Sequence, residues 1–286
     1  NMPDNCSIIK SFKYIKINHK ISTNSYEVNI KIKLENKHIL CWNRYKNDFE
    51  KISISSVVGI TSLYGLNEQI KKIEKNTEAF ELGLPFNHGL LWGVRGSGKS
   101  SLIRAILKNL LLKSSNCDVI EINSQDIEDL PNIFLNHKFK KKIILFIDDL
   151  SFEQNDRRYI QFKSFLEGSF YTNEFKFLTY VTSNRRHLMK RDMLDNERSS
   201  AISQDEGVEE KVSLSDRFGL WVSFHNINQN EYIEIVKHYF SLNKIPFNED
   251  IKRDSLKWIF ARGNRTGRSA NQFFKNFCLE NNITLD

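Results

Sequence analysis

Cysteine is scarce. Cys6, Cys41, Cys117 and Cys278 are scattered over 286 residues without a CxxC or Cys/His ligand spacing, so neither a disulfide scaffold nor a zinc site is indicated, and a reducing, cytoplasmic setting is expected. Long apolar runs are missing too. The longest uninterrupted one, Ile143–Ile147, is far short of the roughly 20 residues that cross a bilayer, and the start lacks the basic-then-apolar order of a secretion signal. A membrane partner is therefore not expected. Asn1 ahead of Met2 reads as a remnant of cloning. There is no internal repeat, and no helix-turn-helix or zinc-finger module, which leaves DNA the weaker option as a partner.

What is present suits a globular chain: 40% of residues are apolar and 27% charged, enough for a full core and an ordinary surface. One main domain with an appendage follows from the length. Lys and Arg outnumber Asp and Glu by 42 to 35, a net charge of +7, which would suit a polyanion. The basic residues are spread rather than clustered, however, and a general bias towards Lys, Asn and Ile, seen at Ser11–Asn18, explains the excess better.

Along the chain, residues 1–56 form an accessory segment, partly strand, with the alternation Tyr26, Val28, Ile30, Ile32, Leu34. From about 57 to 226 short apolar strands alternate with helices, the pattern of a parallel sheet covered on both faces. The expected strands are Gly89–Trp92, Val119–Ile122, Ile143–Ile147, Phe177–Thr182 and Leu220–Phe224. Residues 227–286 read as a helical lid: Asn230–Leu242, Asp250–Arg262 and Ser269–Leu279, with breakers at Pro246 and Gly263. A charged, Ser-rich stretch, Lys190–Lys211, reads as a long loop.

The chemistry starts at Gly93, Val94, Arg95, Gly96, Ser97, Gly98, Lys99 and Ser100, which fit GxxxxGK[ST] directly after the strand GLLW and directly before the helical positions Leu102, Ile103, Ile106 and Leu107. Such a P-loop turns its backbone N–H groups towards phosphates at a helix N-terminus. Ser101 completes the loop. Lys99 would meet the β and γ phosphates of ATP and should face solvent when no ligand is bound; Ser100 would hold Mg2+. The second metal-side group is Asp148 at the end of a buried strand. Asp149 stands where a water-orienting carboxylate is needed; two acids at a strand end can also cap the next helix, a reading that the P-loop upstream makes the weaker one.

Further motifs follow in the order used by AAA+ proteins. TSN at Thr182–Asn184 resembles sensor 1, with Asn184 as its polar side chain. SDRFGLW at Ser215–Trp221 resembles the arginine-finger box of bacterial replication initiators, with Arg217 as the finger. TGRSAN at Thr266–Asn271 resembles the sensor 2 segment of branch-migration motors, with Arg268 in that role and Arg265 as its rival. Tyr64, in YGL at Tyr64–Leu66, resembles the box that lines an adenine site, though apolar packing accounts for it as well. Asn184 as a turn residue, Arg217 as a surface ion-pair residue and Arg268 as a helix cap are the plainer alternatives. The fuller phrases NTEAFELGLP, LWGVRGSGKS, DDLSFE, TSNRRHL and EKVSLSDRFGLW resemble a bacterial family of predicted AAA+ ATPases known only as a domain of unknown function. The resemblance spans about Ile60–Phe277. It implies an α/β fold, a five-stranded parallel P-loop sheet followed by a small helical lid, with ATP and Mg2+ between them.

The function expected is an ATPase, most simply a homo-oligomer, that couples nucleotide binding and hydrolysis to remodelling an unidentified protein or nucleic-acid partner. One departure from the family pattern stands out: motors of this type place Glu after the metal Asp, whereas Asp149 is a methylene shorter and holds water poorly unless Glu153 assists, so slow hydrolysis, or a switch rather than a motor, is an option. A nucleotide-gated binding module with little hydrolysis is the alternative. A P-loop kinase fits less well, because it needs neither a separate helical lid nor a finger box.

Overall fold

The computed structural model describes residues 37–113, 116–140, 142–153, 156–168, 176–186, 188 and 214–285. The alternation at Tyr26–Leu34, Cys6 and the stretch Lys190–Lys211 lie outside them.

All five expected strands form, each within two residues of its expected limits: β3 (Gly89–Gly93), β4 (Cys117–Asn123), β5 (Lys142–Asp148), β6 (Lys176–Ser183) and β7 (Leu220–Phe224). They pair in parallel in the order β4-β5-β6-β3-β7. The sheet is larger than the five strands expected. A hairpin of β1 (His38–Asn43) and β2 (Asp48–Ser53) extends it to seven, with β1 parallel to β4 and antiparallel to β2. The hairpin is fixed from a distance: buried Trp42 donates its indole N–H to Asp129 Oδ2 at 2.9 Å, and Phe49 packs edge-on against Trp42 and His137 at 5.3 and 5.0 Å.

Successive strand residues serve opposite cores, as the period of two demands. Ile143, Leu145 and Ile147 of β5 point to one face with Phe162 and Phe218, while Ile144 and Phe146 point to the other with Ile73, Leu102 and Ile106. Helices α1 (Asn67–Leu82) and α2 (Lys99–Lys113) cover the latter face; α3 (Leu130–Asn136) and α4 (Arg157–Leu166) cover the former. Double-sided burial explains why these strands read as continuous Ile, Leu, Val and Phe rather than as alternation.

Three helices follow the sheet: α5 (Gln229–Leu242), α6 (Glu249–Arg262) and α7 (Gly267–Glu280). They enclose their own core of Tyr232, Val236, Phe240, Ile259, Phe273 and Phe274. Asn228 and Thr266 start α5 and α7 with reciprocal capping boxes to Glu231 and Ser269. Among the described residues no helix is long and apolar enough to cross a membrane, and Cys41, Cys117 and Cys278 are free thiols.

Candidate functional site

The parallel strands deliver their C-terminal ends to one edge, and there Gly93, Asp148 and Ser183 end strands β3, β5 and β6. The loop Val94–Gly98 joins β3 to the N-terminus of α2, where backbone N–H groups have no helical acceptor and the helix dipole favours an anion. Glycines make its shape possible. Gly93 has φ 137°, and a Cβ there would lie 1.9 Å from the Phe224 carbonyl oxygen of β7. At Gly96, with φ 80°, a Cβ would press on Thr266 and Arg268 of the lid at 3.2–3.3 Å. The hydroxyl of Ser97 is buried without a hydrogen-bond partner among the described residues. A buried hydroxyl without a partner, beside the free N–H groups of a helix N-terminus, is what a bound phosphate chain would complete.

Lys99 does not face solvent as expected; it is 6% exposed. Its Nζ folds back to donate to the Gly93 and Val94 carbonyls, both at 2.8 Å, and to Asn184 Oδ1 at 3.2 Å. The reason is that an ammonium inside the loop needs acceptors, and the loop's own carbonyls are nearest. Burial lowers its pKa from the ordinary 10.5, the charges of Asp149 and Asp148 oppose that, and Arg268 adds to it.

Asp148 is held at both oxygens. Ser100 Oγ and Thr182 Oγ1 each donate to Oδ1 at 2.5 Å, and Arg104 Nη2 donates to Oδ2 at 3.1 Å. The Ser100–Asp148 pair fits Mg2+, because such a cation at a P-loop takes one hydroxyl and one carboxylate and keeps phosphates and waters for the rest. It needs no larger acidic cluster, and none of three or more His, Cys, Asp or Glu occurs among the described residues. Asp149 adopts φ 52°. That left-handed turn is fixed by its N–H to Thr182 Oγ1 at 2.9 Å and by Asn184 Nδ2 donating to Asp149 Oδ1 at 2.5 Å. Asn184, itself exposed, thus links Lys99 to Asp149.

A cleft of about 1010 Å³ opens between sheet edge and lid, lined by the loop, Asp148, Asp149, Asn184, Tyr64, Arg265 and Arg268. The lid is tied to the loop by the Arg268 N–H to the Gly96 carbonyl at 3.2 Å. Tyr64 stacks obliquely on His238 of α5 at 5.2 Å, and His238 Nε2 lies 2.8 Å from the Thr61 carbonyl. Ser101 also lines the cleft. Two expected contributors are elsewhere: Glu153 and Arg217 are not among the lining residues. Arg217, its side chain 47% exposed, pairs with Glu167 at 2.6 Å.

Sequence reasoning missed Arg104 and Glu121. Arg104 follows Ser100 by four residues and so shares its face of α2; Glu121 lies on β4, beside β5, in a register pairing it with Phe146. Arg104 grips Glu121 through Nε at 3.1 Å and Nη2 at 2.5 Å. The spacing from Ser100 was a readable signal, but the strand register was not.

The family model described as "Protein of unknown function (DUF815)" matches residues 35–281. Among solved structures, the chain is similar to the Thermotoga maritima RuvB Holliday junction branch migration motor, at 16% identity and TM-score 0.44, covering 76% of this chain and 71% of that one. A replication initiator DnaA bound to AMPPCP and single-stranded DNA is similar at 17% identity and TM-score 0.49, covering 79% and 63%. A DNA replication initiation factor gives 17%, 0.46, 79% and 64%. Each is a distant likeness and supplies no activity to this chain. No curated protein matches in sequence.

Proposed function

The chain belongs to the DUF815 family, and we propose that it is an ATPase of AAA+ type that binds ATP with Mg2+ in the cleft between P-loop and lid. The observation that carries this reading is the hydrogen-bonded series Lys99–Asn184–Asp149 beside the Ser100–Asp148 pair. It brings a phosphate-binding cation, a polar positioning group, a second carboxylate and a metal pair to one end of the sheet. Mg2+, when bound with the nucleotide, neutralises phosphate charge.

In this mechanism Lys99 exchanges its carbonyl acceptors for the β and γ phosphate oxygens, and the loop N–H groups and the Ser97 hydroxyl bind the chain of phosphates. Asp149 and Asn184 orient a water for in-line attack on the γ-phosphorus. The bond from that phosphorus to the β–γ bridging oxygen breaks, giving ADP and inorganic phosphate. Arg268 reaches the γ-phosphate from the lid, so the lid senses hydrolysis, and Tyr64 borders the base. Arg217 serves a neighbouring subunit of a homo-oligomer. The change in lid position acts on a macromolecular partner, protein before nucleic acid.

A slower, switch-like version is favoured by one observation: Asp149 Oδ1 is already engaged by Asn184, which leaves a short carboxylate with one oxygen for water. Phosphate release by the wild-type chain, by Asp149→Asn and by Glu153→Gln tests the proposal. It expects turnover in the wild type and Glu153→Gln and loss in Asp149→Asn. Full turnover in Asp149→Asn with loss in Glu153→Gln would transfer the role to Glu153.

A further inference from the structure

Behind the metal-side carboxylate lies a second one that the mechanism above does not use. Glu121 takes Arg104 at two nitrogens, 2.5 and 3.1 Å, whereas Arg104 reaches Asp148 Oδ2 only at 3.1 Å and with a nitrogen it shares with Glu121. The guanidinium is further fixed over the Phe146 ring, 5.2 Å from its centroid. All three ionic side chains are one-third exposed or less, so they act on one another with less screening than surface pairs.

The charge count decides the consequence. An arginine given wholly to Asp148 would neutralise it and set a positive charge beside the cation position. With Glu121 present, one guanidinium is divided between two carboxylates, and the cluster keeps a net negative charge on the Asp148 side. We propose that Glu121 is a positioning residue for the divalent-cation site: by drawing Arg104 onto itself it leaves Asp148 anionic and available to the metal. The inference rests on the reading of Ser100 and Asp148 as that site.

The test is Mn2+ affinity of the full chain saturated with ADP, followed by electron paramagnetic resonance, for wild type, Glu121→Gln, Arg104→Gln and the double variant. ADP affinity is measured in parallel in EDTA, and folding by thermal melts. Glu121→Gln should bind Mn2+ about tenfold more weakly, since an uncompensated guanidinium then sits on Asp148, with metal-free ADP affinity within about twofold of wild type. Arg104→Gln and the double variant should bind Mn2+ no more weakly than wild type, because the competing cation is gone. Wild-type Mn2+ affinity in Glu121→Gln, or a double variant as weak as Glu121→Gln, overturns the inference. Should Glu121→Gln fail to fold, Arg104→Gln decides: weakened Mn2+ binding there overturns it, and undiminished binding supports it. A wild-type chain that binds no ADP would remove the reading of the cleft as well; ADP binding with the wrong order of Mn2+ affinities removes this inference alone.

Discussion

Lys99 Nζ directs its hydrogen bonds to Gly93 O, Val94 O and Asn184 Oδ1, so the proposed ATP binding at this residue would be an exchange of acceptors rather than the capture of a free charge. Charge-assisted bonds contribute about 1.5–3 kcal/mol each. Lys99→Ala should therefore lose about 3 kcal/mol of ATP affinity or more, roughly 150-fold. The lowered pKa adds a pH dependence whose two signs differ. Between its folded value and the ordinary 10.5, Lys99 binds fewer protons in the folded chain than in the unfolded one, so its contribution to stability rises with pH across that window. ATP affinity should fall across the same window as the ammonium is lost, earlier than for an ordinary lysine, and a binding series in alkaline buffers reads this directly. Gly93 is constrained on two counts, φ 137° and a Phe224 carbonyl oxygen only 1.9 Å from where a Cβ would stand. Gly93→Ala should destabilise the sheet domain by about 3 kcal/mol or more, seen as a lower thermal midpoint, and an unchanged midpoint would contradict the close approach.

At the scale of elements, α7 docks its N-terminus on the P-loop, with the Arg268 N–H on the Gly96 carbonyl and Thr266 and Arg268 flanking Gly96. Gly96→Ala should push this contact apart. The expected result is ATP binding weaker by about tenfold, of the order of 1.4 kcal/mol, with a smaller effect on the melt than Gly93→Ala, because the lid retains its own core. How much of this was legible depended on where each element finds its partners. The five central strands were readable because Ile, Leu, Val and Phe run continuously where both faces are covered, as in Ile143–Ile147. The three lid helices were readable from their apolar periodicity and the breakers Pro246 and Gly263, while the caps Asn228 and Thr266 emerge only in the fold. The β1–β2 hairpin was not, since β2 is mostly exposed and its anchors, Asp129 and His137, lie far along the chain. The loop sequence announced Lys99 and Ser100, but the burial of Lys99 follows from the Asn184 and carbonyl contacts that only the folded edge creates. Glu121 was hidden for the same reason, a register between β4 and β5 that no local pattern encodes, whereas Arg104 carried a readable spacing of four residues from Ser100 on one helix.

At the scale of the whole molecule, Arg217 stands apart from the cleft and pairs with Glu167 on the surface, an arrangement suited to a group that serves a neighbour. If Arg217 is a finger, as proposed, it should contribute about 10³ to 10⁵ in rate, as such arginines do in phosphoryl-transfer systems. Arg217→Ala should then bind ATP normally and hydrolyse it very slowly, and mixing it with Lys99→Ala should restore part of the turnover, because an intact loop on one subunit meets an intact arginine on another. No rescue, with specific activity unchanged down to monomeric concentrations, would assign Arg217 to its own subunit or to structure. All these outcomes depend on ATP occupying the cleft between loop and lid. Calorimetric titration of ATP with Mg2+ into wild type and Lys99→Ala, both shown to be folded, tests that most directly: the account predicts saturable binding near one nucleotide per chain that is lost or weakened at least roughly 150-fold in Lys99→Ala, and equal affinity in the two proteins would contradict it.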